Sequence, residues 1–75
     1  MDVYELGRIL NNMYENAEHG ESVVMIHLFG IKYATEIRAC KVSMKEIAKA
    51  AQIHESYGTE IGKGVRLAKY VMLKN

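Results

Sequence analysis

The feature that most constrains the fold is a run of nineteen residues, 43–61, in which two short helical patterns meet at a tight corner. Ser43 can cap the first helix, because its hydroxyl and the carboxylate of Glu46 can each accept a hydrogen bond from a backbone N–H of the first turn. Apolar residues then recur at helical spacing along one side. They are Met44, Ile47, Ala48 and Ala51. Residues 52–54 interrupt this period, and a second helix is predicted from about Glu55.

The composition favours helices throughout the chain. It contains no proline, and residue types of high helix propensity are common. Its 75 residues are enough for one domain, residues 1–75, with little room for an enclosed active site. We therefore expect an all-α fold, a small bundle of about five helices. Residues 1–40 would supply supporting helices, and residues 43–72 the corner motif and a C-terminal helix.

Three supporting elements are predicted before the corner. Asp2 can cap a first helix that runs to about Ala17. A second element follows Ser22 as its cap, is apolar nearly all round, and stops at Gly30. This pattern fits a central helix or a buried strand, but a strand would find no second strand with which to pair. A third short helix is predicted within residues 31–40.

The segment after Ile61 extends the second helix of the corner. Its inward face continues through Val65, Ala68 and either Val71 or Met72. On this pattern the helix can reach the C-terminus. Gly62 and Gly64 each cost about 1 kcal/mol relative to alanine inside a helix, so a break between Ile61 and Val65, giving six helices, is the alternative.

Residues 43–61 resemble the helix-turn-helix of bacterial repressors, most closely the lac-repressor type. The residues that carry the resemblance are Val42, Ser43, Glu46, Ile47, Ala48, Ala51, Ile53 and Ile61. Two positions depart from the family pattern: Gln52 stands where a corner glycine is usual, and Gly58 where a β-branched core residue is usual. We expect Ala48 to be a small contact between the two helices, and the backbones to approach closely at Gly58. A plain helical hairpin needs the same cap and small residues, and remains the alternative.

Charge is distributed unevenly along the chain. Through Gly30 there are five acidic residues against one basic, and after Gly30 there are nine basic residues against four acidic. The basic half is the half with the corner motif. Its cations form two rows at helical spacing, one of Lys41, Lys45 and Lys49, the other of Lys63, Arg66 and Lys69. Either row can be an ordinary solvated face; together, on both sides of the corner, they favour contact with phosphates.

The resemblance implies that the second corner helix contacts double-stranded DNA in the major groove. The predicted DNA-binding residues are Lys41, Lys45, Lys49, His54, Glu55, Ser56, Tyr57, Thr59, Lys63 and Arg66. Glu55 and Glu60 oppose this function, since carboxylates are repelled by phosphates, although they can accept a hydrogen bond from cytosine. The predicted function is DNA binding in transcriptional regulation or another DNA-linked role. The alternative is a helical protein–protein interaction or dimerisation module that binds a protein partner or a second copy of the chain.

No residue pattern predicts catalysis, a metal or a cofactor. The three histidines and the single cysteine lie far apart in the sequence, without the paired spacing of a zinc site. We expect His27 at the edge of the core and His54 in the corner or as a cap. The segment 58–64 departs from a phosphate-binding loop in its glycine spacing and in the residue after its lysine. We expect a non-enzymatic, cytoplasmic protein with no membrane span.

Overall fold

The computed structural model describes residues 1–71 and 73. This part of the chain contains five α-helices and no strand. They are α1 (Val3–Glu15), α2 (Ser22–Lys32), α3 (Ala34–Cys40), α4 (Met44–Ala50) and α5 (Gly58–Leu67), with a 3-10 turn over Glu55–Tyr57 between the last two. The predicted all-α fold is confirmed, and the strand alternative for the apolar second element is wrong, because that element is α2.

The first helix begins as predicted. The Asp2 carboxylate accepts a hydrogen bond from the Glu5 backbone N–H at 2.9 Å, and the Glu5 carboxylate accepts one from the Asp2 N–H at 3.2 Å. This reciprocal capping box satisfies two donors that the first turn leaves unpaired. The helix ends at Glu15, short of the predicted Ala17, and its cap residue Asn16 donates its side-chain amide to the Asn12 carbonyl oxygen.

The boundaries of α2 and α3 differ from the sequence prediction. Ser22 is the first residue of α2 instead of its cap, and Glu21 occupies the cap position without a side-chain hydrogen bond. The helix continues through Gly30 to Lys32. Gly30 does not end it, because this glycine packs closely against α5. Tyr33 then serves as the cap residue between α2 and α3, so α3 begins only at Ala34.

The core forms where α5 packs between α2 and α4, with α1 packed against both α2 and α4. The largest fully buried side chains come from all five helices; they are Phe29, Leu6, Leu10, Ile26, Ile37, Ile47 and Ile61. Among the described residues, every buried residue of this core is apolar. The apolar stripes read from the sequence are therefore the inner faces of the helices.

The α2–α5 crossing is a contact between backbones. A Cβ atom at Gly30 would lie 2.5 Å from the Ile61 carbonyl oxygen and 2.9 Å from the Gly64 Cα atom, and a Cβ atom at Gly64 would overlap the His27 carbonyl oxygen. The two helices approach this closely because neither glycine carries a side chain.

The alternative of a break between Ile61 and Val65 in the last helix is wrong. α5 is continuous through Gly62 and Gly64, since packing against α2 outweighs the low helix propensity of glycine. It ends at Leu67, so the prediction that it reaches the C-terminus is also wrong; a turn follows in which the Tyr70 N–H donates to the Leu67 carbonyl oxygen at 2.9 Å. Met72, predicted on the inward face, lies outside the described residues.

Candidate nucleic-acid interface

The corner starts from the predicted cap. The Ser43 hydroxyl accepts a hydrogen bond from the Glu46 backbone N–H at 3.1 Å, and α4 begins at Met44. The second half of the predicted capping box does not form. The Glu46 carboxylate instead lies 3.9 Å from the Lys49 ammonium on the outer side of the helix.

The turn after α4 is a Schellman motif. The Gln52 N–H donates to the Lys49 carbonyl oxygen at 3.0 Å, and the Ile53 N–H donates to the Ala48 carbonyl oxygen at 3.2 Å. This pattern requires a left-handed residue after the helix, and Gln52 has φ of 61°. Gln52 therefore adopts the conformation for which the resembling family uses glycine, at a steric cost that glycine avoids.

The second helix of the corner starts with a 3-10 turn. His54 caps that turn, as predicted: its Nδ1 atom accepts a hydrogen bond from the Ser56 N–H at 3.1 Å and lies 2.8 Å from the Ser56 hydroxyl. Regular α-helix begins at Gly58, three residues after the predicted start at Glu55. The 3-10 turn Glu55–Tyr57, η1, is consequently the first turn of the second corner helix.

The two corner helices touch at Gly58 and at the inner face of α4. A Cβ atom at Gly58 would lie 2.9 Å from the Lys45 backbone nitrogen and 3.0 Å from the Met44 carbonyl carbon. Ala48 and Ala51 are fully buried. The predicted close approach at Gly58 is confirmed, which explains why a bulky residue is absent from position 58. The burial of Ala48 agrees with its predicted inward position, and its contact with the second corner helix stays a prediction.

The outer face of α5 and its first turn present side chains to solvent. The exposed members of the predicted interface on this face are His54, Glu55, Ser56, Thr59, Lys63 and Arg66. Tyr57 is half-buried instead, with its ring centroid 5.8 Å from that of Tyr14 on α1. The surface around the helix start is thus formed by short polar side chains and charges.

Three of the predicted phosphate-binding lysines lie beside glutamates. Each pair joins an ammonium to a carboxylate of the same surface: Lys45 to Glu55 at 3.3 Å, Lys49 to Glu46 at 3.9 Å, and Lys63 to Glu60 at 3.2 Å. Exposed pairs of this kind are weak, contributing roughly 0–1 kcal/mol, so a phosphate can displace the carboxylate. They nevertheless lower the positive potential of the surface.

The predicted DNA-binding residues include two other cations, Lys41 and Arg66. Neither makes an ion pair with a residue of the described part of the chain. Lys41 ends α3 in the left-handed conformation, with φ of 59° and ψ of 32°. It therefore does not continue the row of Lys45 and Lys49 on α4. With three glutamates against five cations, the net charge of the interface is about two positive units.

An open groove of about 460 Å³ separates the start of α4 from the outer face of α5. Its lining residues are Met44, Lys45, Glu55, Gly58, Thr59, Gly62 and Arg66. Arg66 extends back along its helix: its Nη1 atom lies 3.4 Å from where a Cβ atom of Gly62 would be. The sequence did not single out Met44 or Gly62 as part of this surface; the spacing of Gly58 and Gly62, one helical turn apart, was the available signal.

Glu60 connects the interface to the core helix α2. His27, at the edge of the core as predicted, places its Nε2 atom 2.6 Å from one Glu60 carboxylate oxygen, and Lys63 places its ammonium 3.2 Å from the other. The hydrogen bond from His27, and secondly the one from Lys63, lower the pKa of the Glu60 carboxyl below its ordinary value. Glu60 is thereby held against the body of the domain, on the side of α5 next to α2.

These features define a helix-turn-helix: a capped first helix, a tight corner with a left-handed residue, and a second helix whose outer face is polar and exposed. The chain belongs to a family described as an HTH-like domain, whose model matches residues 2–74. This match confirms the helix-turn-helix superfamily and leaves the closer resemblance to the lac-repressor type as a prediction. Neither the search of curated proteins nor the search of solved structures found a match.

Two other features, a membrane span and a metal site, are absent from the residues that the structure describes. Among them, no helix is long and apolar enough to span a bilayer. No group of three histidine, cysteine, aspartate or glutamate side chains in the same residues is placed to hold a metal ion.

Proposed function

We propose that this domain binds double-stranded DNA, with α5 in the major groove, in transcriptional regulation or another DNA-linked process. The observation that carries the proposal is the exposed outer face of α5, within a helix-turn-helix family fold, between cations on α4 and on α5 itself. Ser56 and Thr59 are short enough to let the helix approach base edges, and their hydroxyls can donate or accept hydrogen bonds there. The domain acts as a binding module without chemistry of its own.

The three lysine–glutamate pairs determine how strongly such an interface binds. Each lysine must exchange its carboxylate for a phosphate, and the glutamate then faces the negative backbone unless a base such as cytosine donates a hydrogen bond to it. We therefore expect modest affinity that depends strongly on salt, because each phosphate contact changes the slope of log K against log salt by about 0.9.

The test is fluorescence anisotropy with a labelled duplex pool at two salt concentrations. Replacing Lys45 and Lys49 by glutamine should weaken binding to all duplexes about equally and make the salt slope shallower by roughly one unit per lost contact. Lys32→Gln removes one positive charge on α2 and is the matched control for each substitution. It should change neither the affinity for duplexes nor the salt slope. Equal effects of all three substitutions would place the phosphate contacts elsewhere.

Glu55 provides the opposite test. Because its carboxylate neutralises Lys45 at 3.3 Å, Glu55→Gln should raise affinity for duplexes in general. Glu15→Gln on α1 removes the same charge away from the interface and should have a smaller effect. If the natural protein binds no duplex at low salt and Glu55→Gln creates no binding, the proposed function is wrong.

A second candidate function, a protein–protein interaction module, is favoured by exposed apolar side chains at the end of α5. Leu67 is 44% exposed and Tyr70 75% exposed, and both line a second, separate depression together with Lys63 and Arg66. A molar mass that rises with protein concentration, and that Tyr70→Ser returns to the monomer value, would support this function in place of DNA binding.

A further inference from the structure

The outer side of α2 carries apolar side chains that the core does not use. Val24 is 49% exposed, and Leu28 and Ile31, one and two helical turns further along the same side, are half-buried. Within residues 1–71 and 73, neither Leu28 nor Ile31 packs against the buried core. Ile26 and Phe29, on the opposite side of α2, are fully buried in it. α2 therefore has a second apolar surface, the outer stripe of Val24, Leu28 and Ile31, which points away from the core.

The outer stripe lies on a helix that is apolar on both sides. No aspartate, glutamate, lysine or arginine occurs from Ser22 through Ile31. A helix of that kind is normally covered all round. The outer side of α5, by contrast, presents Thr59 and Lys63 to solvent. Covering the outer stripe with another apolar surface is favourable, because its apolar area is then removed from water.

Opposite charges lie at the two ends of the outer stripe. Glu21 occupies the cap position before α2, three residues before Val24. Lys32 is the last residue of the helix, four residues after Leu28. These spacings place both charges on the side of the stripe. Both side chains are exposed, and neither makes an ion pair with a described residue; the Lys32 ammonium lies 5.7 Å from the ring centroid of Tyr33.

We infer that the outer stripe of α2 binds the same stripe of a second copy of this chain, with the two helices antiparallel. A two-fold axis through the middle of the stripe places each Val24 against Leu28 of the other copy. It also brings each Glu21 close to Lys32 of the other copy. Their distances from the axis along the helix differ by one residue, about 1.5 Å, which long side chains span. This contact goes beyond DNA binding and does not depend on it.

The order of the charges selects both the direction and the partner. In a parallel pair of helices, Glu21 would face Glu21 and Lys32 would face Lys32, so like charges would meet at both ends. A different protein would have to present an apolar stripe with its charges in the reverse order. A second copy in the antiparallel direction presents that order in its own sequence.

Association through one helix of each copy is expected to be weak. α2 has eleven residues and is about 16 Å long, so two such helices bury less than the roughly 1,600 Å² of a standard interface. We expect a dissociation constant of roughly 0.01–1 mM. Duplex binding measured well below that range involves single copies, so Lys32→Gln remains a control there.

Sedimentation equilibrium of the natural protein from about 5 μM to about 2 mM tests the inference. The mass should rise from the monomer value and level off at the dimer value, because a two-fold contact closes on itself. Leu28→Gln should weaken association by about 10-fold or more, since the change is present in both copies. Leu67→Gln is the same change at an exposed leucine of α5; it is the matched control and should leave association unchanged. The melting temperature of dilute Leu28→Gln should stay near that of the natural protein, because Leu28 does not pack against the core.

Charge reversal tests the antiparallel direction. Glu21→Lys and Lys32→Glu each place two pairs of like charges across the axis, and each should weaken association by about 3- to 30-fold. The double variant restores opposite charges and should associate within about 3-fold of the natural protein. Both reversals also oppose the helix dipole. If these charges served only the helix itself, the double variant would be the weakest of the three, whereas contact between copies makes it stronger than either single variant.

Each outcome decides a separate point. A natural protein that stays monomeric at about 2 mM overturns the inference. Association that Leu67→Gln weakens and Leu28→Gln does not would also overturn it, and would move the contact to the end of α5. A double charge variant that does not recover shows that the antiparallel pairing is wrong; this set decides the matter if Leu28→Gln fails to fold. No measurement here uses DNA, so this inference and the proposed function can fail independently.

Discussion

The glycines of α5 differ in what lies where their side chains would be. Gly58 and Gly64 are buried, and backbone atoms of α4 and α2 occupy the space where their side chains would lie. Gly62, half-buried and one turn after Gly58, lies opposite only side-chain atoms of Arg66 and Met44, at ordinary contact distances. Gly58 and Gly64 therefore allow α5 to lie close to its neighbours, whereas the position of Gly62 has room for a methyl group.

This difference shows that the meaning of a glycine depends on what occupies its missing Cβ position. Backbone atoms cannot move aside without displacing a helix, whereas a side chain can change its rotamer. Stability should therefore be sensitive to substitution at Gly58 and Gly64 and tolerant of substitution at Gly62.

The largest effect is expected at the α2–α5 crossing. Gly64→Ala should destabilise the domain by about 3 kcal/mol or more, at or above the top of the usual range for overpacking, because the methyl group meets the His27 carbonyl oxygen and Gly30 Cα. Gly62→Ala, two residues away, should instead be neutral or stabilising by up to about 1 kcal/mol. Chemical denaturation of both variants measures the contrast, and equal free energies of unfolding would abolish the distinction between glycines that face backbone atoms and a glycine that faces side chains.

A smaller loss is expected where α5 meets α4. Gly58→Val should destabilise the domain by roughly 2 kcal/mol, because its side chain meets the backbone of Met44 and Lys45 at about 3 Å. Helix propensity alone predicts little change or a gain for this substitution. A Gly58→Val variant with a raised melting temperature would indicate an underfilled core. Such a core would have room for the bulkier residue that the resembling family has at this position.

A gain in stability is expected at the corner. Gln52→Gly should stabilise the domain by about 0.5–1 kcal/mol, since the left-handed conformation at φ of 61° strains a residue with a Cβ atom, and the extra flexibility of glycine in the unfolded chain offsets only part of the relief. Gln52→Ala keeps the Cβ atom and serves as the control, with no gain expected. The melting temperatures of the glycine and alanine variants measure the difference. A stabilised alanine variant would show that the gain comes from loss of the glutamine side chain.

The smallest effect concerns Glu60, which lies on the side of α5 next to α2. Its pKa is lowered in the folded domain by His27 and then Lys63, so its ionised form is favoured by folding. This contribution is complete above the ordinary glutamate pKa of 4.5 and is lost as pH falls through the lowered folded value. The stability advantage of the natural protein over Glu60→Gln should therefore narrow below about pH 4. A difference that stays constant down to pH 2 would show that the carboxylate does not contribute.

Much of the fold follows from the sequence, because caps and apolar stripes act over three or four residues. Asp2 and Ser43 start their helices as predicted, and the inner faces of α1 and α4 were readable from the spacing of their apolar residues. The helix ends were less predictable. α2 passes through Gly30, and α5 passes through Gly62 and Gly64, since the packing of one helix on another outweighs local propensity.

The exposure of most candidate interface residues was predictable from the sequence, but their ion pairs across helices were not. The sequence placed cations on both sides of the corner, and the exposed positions of Ser56 and Thr59 agree with the predicted outer face. It did not show that Lys45 lies beside Glu55, because that contact joins two helices. Nor did it show that Met44 and Gly62 line one groove with Arg66, since that groove lies between two helices.

What the sequence by itself determined is the class of fold: five helices, the corner at residues 52–54, and the close approach at Gly58. These follow from hydrogen bonds and apolar periodicity within short segments. The tertiary structure alone decided that Lys45 lies beside Glu55 and that His27 holds Glu60 against the body of the domain. Such contacts depend on the angle and distance between packed helices, and no local pattern of residues specifies those quantities.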